Sequence, residues 1–575
     1  MIALRLTTIA TLFAAIHAAT APNVHAATTP NILILFADDL GSGDLQVYGH
    51  PTTRTPHLDA LAASGIRFTQ WYSAFHVCSP SRAAMMTGRL PIRSGLAGGT
   101  WTGGVIVANA AGGLPHNETT IAEALKPKGY AALALGKWHL GQQPEYLPTS
   151  HGFDEYLGLP YSDDMGSSAW DYYDSEGNPP LPLLHSTAPG KVTIVEQPTD
   201  LNLLSGRYVH AATSFITNQT SAKKPWLLYM AFSHVHTPDF ASKPFCNQTL
   251  RGRFGDALLE LDDAVGTIMA SVKSSGALSS TLTFFTSDNG PWLIRSLAGG
   301  SAGLLREGKQ TTWEGGIREP GIISWPGTIQ AGQISSAVVT TYDLFPTILS
   351  IVGVPLPTDR IIDGKDLTPL LFGKNATSPH ECVFHWKGAP WYLQHPISAG
   401  CPKGNPKCEG LWAARCGPYK LHYYTMDSVG VHAFKPIKHD PPLIYQIEHD
   451  PSEAHPLLNS SEEYVNVRVM LEKAMADHEA SVAYVPNQNA RGGDNKLKVC
   501  CDWDSKKKYP KYPTCTCDAA NFEAFVCAPV GPHEDEVDDV VVAASGGSSA
   551  VEATHFDAAD CSTWPWRDGE QLRDA

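Results

Sequence analysis

Beyond its N-terminus this 575-residue chain has no apolar run long enough to cross a bilayer, which excludes a membrane-spanning body. It also has no basic surplus. Lys and Arg number 42 against 57 Asp and Glu, a formal net charge of −15, so nucleic acid is excluded as a partner. No internal repeat is visible, which removes solenoids and propellers from consideration. Nor is the acidity spread evenly: residues 531–575 hold eleven acidic residues against two arginines, so the rest of the chain is only mildly acidic.

What is present points to a secreted globular protein. Composition is ordinary, with 43% hydrophobic and 17% charged residues, and the length allows two or three domains. The opening "MIALRLTTIATLFAAIHAATAPNVHAA" places Arg5 before an apolar stretch and small residues before a cleavage point, the pattern of a signal peptide over 1–27. Five Asn-x-Ser/Thr sites, at Asn117, Asn218, Asn247, Asn375 and Asn459, agree with that route. So do twelve cysteines, eight of which follow Cys401. Cys500, Cys501, Cys515 and Cys517 suggest a disulfide-stapled segment, with zinc as the rival reading. The tail 531–575 contains "AASGGSSAVEA" and is expected to be disordered.

Four short apolar runs end abruptly in polar clusters. "NILILFADDLGSGD" runs into Asp38 and Asp39, "GYAALALGKWHLG" into Lys137 and His139. "KPWLLYMAFSHVHTP" runs into His234 and His236, and "STLTFFTSDNGP" into Asp288 and Asn289. Such runs suit buried strands, and helical patterns lie between them: "PHLDALAASG", "TTIAEALKPKG" with its Thr120/Glu123 capping box, and "DALLELDDAVGTIMASVKSSG". Alternation of this kind predicts an α/β fold, a large, mostly parallel sheet between helices over 28–374. Ligands in such folds gather at the carboxyl ends of strands, where all four clusters sit. A smaller α+β region is expected over 375–530. It has strand-like "GLWAARCGPYKLHYYT" and "PLIYQIEHD", then a helix with Tyr464, Val467, Leu471, Ala474 and Met475 on one stripe.

Asp38, Asp39, Asp288 and Asn289 offer hard oxygen donors, suited to Ca²⁺ or Mg²⁺. Any one of them alone reads as a turn or helix cap. Lys137, His139, His236 and Lys309 would add cationic and titratable groups to the same rim, making a receptor for a tetrahedral oxyanion such as a sulfate or phosphate ester. Only one set of oxygen ligands is found, which disfavours a two-metal phosphatase.

The stretch "CSPSRAAMMTGRLP" resembles the sulfatase signature Cys-x-Pro-x-Arg. The chain is also similar to that family through "GKWHLG", "LGLPYSDDMG", "SDNGP" and "GLLREGKQTTWEGGIREP". The resemblance implies an alkaline-phosphatase-like fold and arylsulfatase-type hydrolysis of sulfated small molecules, glycolipids or carbohydrates. It implies that Cys78 is oxidised to formylglycine by the formylglycine-generating enzyme, and that Asp38, Asp39, Asp288, Asn289 and the modified Cys78 hold Ca²⁺ (or Mg²⁺). Arg82 would steady the modified residue. Lys137 and Lys309 would clamp the sulfate, His236 would protonate the leaving alkoxide, and His139 would act as base. Ser162 and His439 would contact substrate. Glu307 stands where relatives carry cysteine, so one interdomain disulfide is expected to be missing. Members of the family often oligomerise. Location in the lysosome, vacuole or extracellular space, and the natural substrate, are left open. The alternatives are a phosphodiester or phosphonate hydrolase of the same fold, or an inactive secreted calcium-binding glycoprotein.

Overall fold

A computed structural model describes residues 29–98, 104–166, 179–373, 377–388, 410–431, 433–483, 485–499, 501–502 and 507–508. The leader 1–27, the sequon at Asn375, most of the cysteine cluster after Val499 and the acidic tail 531–575 lie outside the described residues. The four described sequon asparagines, Asn117, Asn218, Asn247 and Asn459, are all exposed.

An eleven-stranded sheet forms the centre of the molecule. Its strands are β1 (Asn31–Ala37), β2 (Ile66–Tyr72), β3 (Ala131–Gly136), β4 (Glu155–Gly158), β5 (Leu183–Ala188), β6 (Lys191–Glu196), β7 (Trp226–Ala231), β8 (Thr281–Ser287), β9 (Arg318–Ser324), β10 (Gln333–Ser335) and β11 (Val339–Thr340). The spatial order is β10-β2-β9-β8-β1-β7-β3-β4-β5-β6, with β11 beside β2. From β8 through β4 every pairing is parallel; β9, β5 and β6 run against their neighbours. The fold is thus the expected mixed, mostly parallel α/β type.

The central strands are apolar on both faces because both faces are covered. All residues of β1, β3, β7 and β8 are buried. Their register then aligns their ends: Phe36 lies opposite Ala231, Ala37 opposite Ser287, and Gly136 opposite Ala231. The chain leaves four neighbouring strands at one level, and the next residues are Asp38, Lys137, Phe232 and Asp288. Backbone bonds lock this rim, with the Asp38 N–H donating to His234 O (2.9 Å) and the Lys137 N–H to Ala231 O (2.9 Å). Gly136 is required here. Its φ is +92°, and a Cβ would stand 1.7 Å from the Ala231 carbonyl oxygen.

The capping box at Thr120 and Glu123 forms as read from sequence. The helices Leu201–Ser221 and Gly252–Ser274 pack against one another. The first of these starts at Asp200, whose side chain accepts from the Asn202 N–H.

A second, antiparallel sheet contains β12 (Cys382–Trp386), β13 (Leu411–Cys416), β14 (Tyr419–Thr425) and β15 (Ile437–Gln446). Helix Glu462–Ala480 covers it, burying Tyr464, Val467, Leu471 and Met475. Cys382 and Cys416 face each other on β12 and β13 and form a disulfide.

Buried charges join this sheet to the large one. Lys420 Nζ lies 2.9 Å from Glu314 Oε1 and 3.1 Å from Glu453 Oε1. Tyr72 donates to Glu314 Oε2, and His422 pairs with Glu453 at 2.7 Å. Glu307 Oε2 accepts both the backbone N–H and the hydroxyl of Ser428, each at 2.8 Å.

His478, on helix Glu462–Ala480, stacks on Phe384 with ring centroids 3.9 Å apart. Its Nε2 accepts from Trp386 Nε1 at 3.1 Å, and burial, with Arg93 nearby, pushes its pKa down to about 3. The folded protein therefore holds this ring neutral while the unfolded chain protonates it near 6.5. Its stabilising contribution is complete above about pH 6.5 and is lost as pH falls toward 3. His478→Gln keeps an acceptor for Trp386 without the titration, so the fall in melting midpoint between pH 7 and pH 4 should be smaller in the variant. An unchanged fall would refute the linkage.

Candidate active site

The level strand ends explain how residues 250 positions apart meet. Asp38 and Asp39 follow β1, Lys137 and His139 follow β3, His236 follows β7, and Asp288 and Asn289 follow β8. Asp39 and His139 adopt positive φ (56° and 59°), a backbone strain found where side chains are aimed at a site. Cys78 and Arg82 come from the first turns of helix Cys78–Thr87, whose ten residues are all buried.

Three carboxylates and three cations interlock here. Arg82 donates through Nε and Nη2 to Asp288 Oδ2 (3.0 and 2.7 Å), and its Nη2 lies 3.4 Å from Asp38 Oδ2. Lys137 donates to Asp38 Oδ2 and to Ser162 Oγ, the latter at 3.0 Å. Lys309 reaches both oxygens of Asp39, at 2.7 and 2.8 Å. Asn289 Nδ2 donates to Asp39 Oδ1 at 2.7 Å. All these side chains are buried.

Cys78 lies between the two ammonium groups. Its Sγ is 3.7 Å from Lys137 Nζ, 3.5 Å from Lys309 Nζ and 3.8 Å from Asp38 Oδ1. It is the one free cysteine among the described residues. Burial pushes its thiol far up despite both lysines, so an unmodified Cys78 stays protonated.

Burial also pushes Asp38 up to about 7, helped by Asp288 and opposed by Lys137 and Arg82; it raises Asp39 too. Asp288 is the exception. Burial disfavours its charge, but Arg82, Lys137, Lys309 and the Asp39 N–H together outweigh this and hold its carboxyl below the usual range.

Both histidines are neutral, pushed well below their ordinary range by burial and then by the neighbouring lysines. Backbone carbonyls set their tautomers. A carbonyl only accepts, so His139 carries its proton on Nε2, 3.0 Å from Ile106 O, and leaves Nδ1 bare. Its Nδ1 has no hydrogen-bond partner among the described residues. His236 is the mirror case. Nδ1 donates to Thr237 O at 2.6 Å, while Nε2 faces Asp39 Oδ2 at 3.5 Å. Trp292 walls this side, its ring 5.3 Å from that of His236 and 4.5 Å from Lys309 Nζ.

Ser162 joins the cluster through Lys137. His439 sits on β15, where its Nε2 bonds Thr425 Oγ1 at 2.9 Å. Asp163 is a residue the sequence reading missed. It is buried, with Oδ1 3.3 Å from His236 Nδ1 and Oδ2 without a partner among the described residues. Burial holds its carboxyl well above the ordinary range. Its only sequence signal was adjacency to Ser162 in "PYSDD".

The donor set fits a hard divalent cation. Ligand atoms of Asp38, Asp39, Cys78 and His236 lie within 4.8 Å of one another. Asn289 Oδ1 is buried and has no hydrogen-bond partner among the described residues, an unsatisfied acceptor that a cation would satisfy. An ion bound only by the folded state stabilises it, by about 2.7 kcal/mol at a hundred times its Kd. Chelation followed by dialysis should therefore lower the melting midpoint, and Ca²⁺ should restore it. Asn289→Ala should blunt that response. A midpoint indifferent to chelator and to Ca²⁺ would show that these oxygens hold no ion.

Comparison with known proteins gives a consistent result. Residues 30–354 match the sulfatase family, and residues 378–517 match the C-terminal region of aryl-sulfatase. The chain is 40% identical to arylsulfatase A of Bos taurus, over 85% of this chain and 94% of that protein. It is 37% identical to N-acetylgalactosamine-6-sulfatase of Canis lupus familiaris, over 85% and 90% respectively. Among solved structures, the PsFucS1 sulfatase from Pseudoalteromonas sp. superposes with a TM-score of 0.69 at 29% identity. The match covers 80% of this chain and 92% of that one.

Proposed function

The chain belongs to the sulfatase family and is a sulfuric ester hydrolase; from that premise we propose that it works through a formylglycine made from Cys78, assisted by Ca²⁺. The observation that carries this reading is the setting of Cys78, a lone buried thiol at a helix start between two ammonium groups and Asp38. As a thiol it is a poor nucleophile, since burial keeps it protonated. Oxidised to the aldehyde and hydrated, it supplies one hydroxyl to attack sulfur and a second whose deprotonation releases sulfate.

Asp38, Asp39, Asp288, Asn289 and the modified Cys78 would hold Ca²⁺, which supplies Lewis-acid stabilisation of the attacking oxygen and of the sulfate. Asp38, Asp39 and Asp288 against Arg82, Lys137 and Lys309 sum to no net charge. A divalent ion makes the cleft electropositive and suits it to an anionic ester.

Lys137 and Lys309 clamp the sulfate and offset charge that develops in the transition state, and Ser162, bonded to Lys137, adds a hydroxyl. Arg82 steadies the first turn that carries residue 78 and fixes Asp288. His139, with Nδ1 bare, takes the proton from the second hydroxyl. His236 takes up a proton at Nε2 from solvent when the anionic ester binds and gives it to the alkoxide as that oxygen's bond to sulfur breaks, while the proton of the attacking hydroxyl returns to solvent.

The substrates on this reading are sulfated small molecules, glycolipids or sugars. The formylglycine-generating enzyme matures the protein in the secretory pathway, on the way to lysosome, vacuole or extracellular space. No described helix is long and apolar enough to cross a membrane.

Cys78→Ser should reduce sulfatase turnover by at least about a thousandfold while the melting midpoint stays near wild type, measured beside matched phosphate esters. Retained sulfatase activity would overturn the assigned nucleophile, and a preference for the phosphate esters would overturn the substrate class. His236→Ala should slow alkyl sulfates, whose leaving groups need a proton, about a hundredfold, and activated aryl sulfates far less. Equal losses on both would remove His236 from the role of acid.

A further inference from the structure

Asp163 lies among the groups assigned to sulfate and leaving group, though it has no role in the reaction described so far. It opens a short turn, Asp163–Met165, and is 1% exposed. Its Oδ1 lies 3.3 Å from His236 Nδ1 and accepts from Ser162 Oγ at 3.5 Å. His236 Nδ1 already donates to Thr237 O at 2.6 Å. Because that carbonyl can only accept, Nδ1 carries the hydrogen, and Asp163 Oδ1 stands against the same nitrogen without taking a hydrogen bond from it.

A hydrogen bond and a polar contact together fix more than the bond alone. A single hydrogen bond to a backbone carbonyl leaves the imidazole free to rock about that contact. A buried carboxyl oxygen from a different loop, packed 3.3 Å from the same nitrogen, limits that rocking. What this restraint aims is Nε2, which faces the acidic cluster 3.5 Å from Asp39 Oδ2.

We propose that Asp163 is a positioning residue, whose Oδ1 holds the His236 ring so that Nε2 meets the oxygen of the leaving group. The inference rests on the general-acid reading of His236. It requires a polar oxygen at this place, not a charge, so an amide should substitute for the carboxyl.

The test uses purified full-length enzyme with an alkyl sulfate and an activated aryl sulfate, comparing wild type, Asp163→Ala, Asp163→Asn, His236→Ala and the double alanine variant. Asp163→Ala should lower kcat on the alkyl ester about tenfold with KM changed less than about threefold, and kcat on the aryl ester by less than about threefold. Asp163→Asn should recover most of the loss. In the His236→Ala background, Asp163→Ala should cost nothing further. If Asp163→Ala does not fold, Asp163→Ser removes the same oxygen and gives the same readout.

Equal losses on both esters, an Asn variant as impaired as Ala, or full additivity with His236→Ala would each overturn the proposal. If His236→Ala itself affects both esters alike, the general-acid reading fails and this inference falls with it. A selective loss in His236→Ala without a matching loss in Asp163→Ala overturns the positioning role alone.

Discussion

The site depends on burying three carboxylates beside three cations at one end of a sheet. Taking six charges out of water is costly, and each is tolerated only because opposite charges stand within hydrogen-bonding distance. Arg82 sits between Asp38 and Asp288, Lys137 holds Asp38, and Lys309 holds Asp39. Removing one member would leave an uncompensated charge in a dry place. That mutual dependence makes the cluster rigid, and a rigid cluster can discriminate a transition state from its ground state.

The second sheet contributes by holding the loop that bears Lys309. Arg306 donates to Glu453 O at 3.2 Å and lies over the Trp313 ring at 3.7 Å. Trp313 Nε1 donates to Asp427 at 3.0 Å, Glu307 accepts from Ser428, and Glu314 meets Lys420. The loop from Arg306 to Glu314 is therefore bracketed by side chains from the smaller sheet and its loops. The Glu307–Ser428 contact provides a tie where relatives were expected to have a disulfide, and it is polar, so its strength depends on exclusion of water.

Much of this was legible before any coordinates, for a definite reason. In β1, β3, β7 and β8 the apolar run stops at the strand end while burial continues, so the polar residues that follow mark a buried ligand face. The metal-type donors and the cations sit at those boundaries or in the signature around Cys78. Less legible were the features without periodicity. The β5–β6 hairpin and the helix Leu201–Ser221 went unread; that helix mixes the polar Asn202 and Ser205 into its buried stripe. Pairing of Cys382 with Cys416 follows from strand register, which cysteine spacing does not reveal. Asp163 was hidden because an acidic residue in a loop usually faces water. Only the fold shows that it is buried against His236.

What unites these observations is a residue whose ordinary chemistry is wrong for its place. A protonated thiol between Lys137 and Lys309 neither attacks sulfur well nor ligates a hard cation well, whereas a hydrated aldehyde does both. The most direct measurement is mass spectrometry of the proteolytic peptide spanning Cys78, from protein purified out of its native host. The account predicts the mass of the aldehyde at that position; an intact thiol or a cystine there would contradict it.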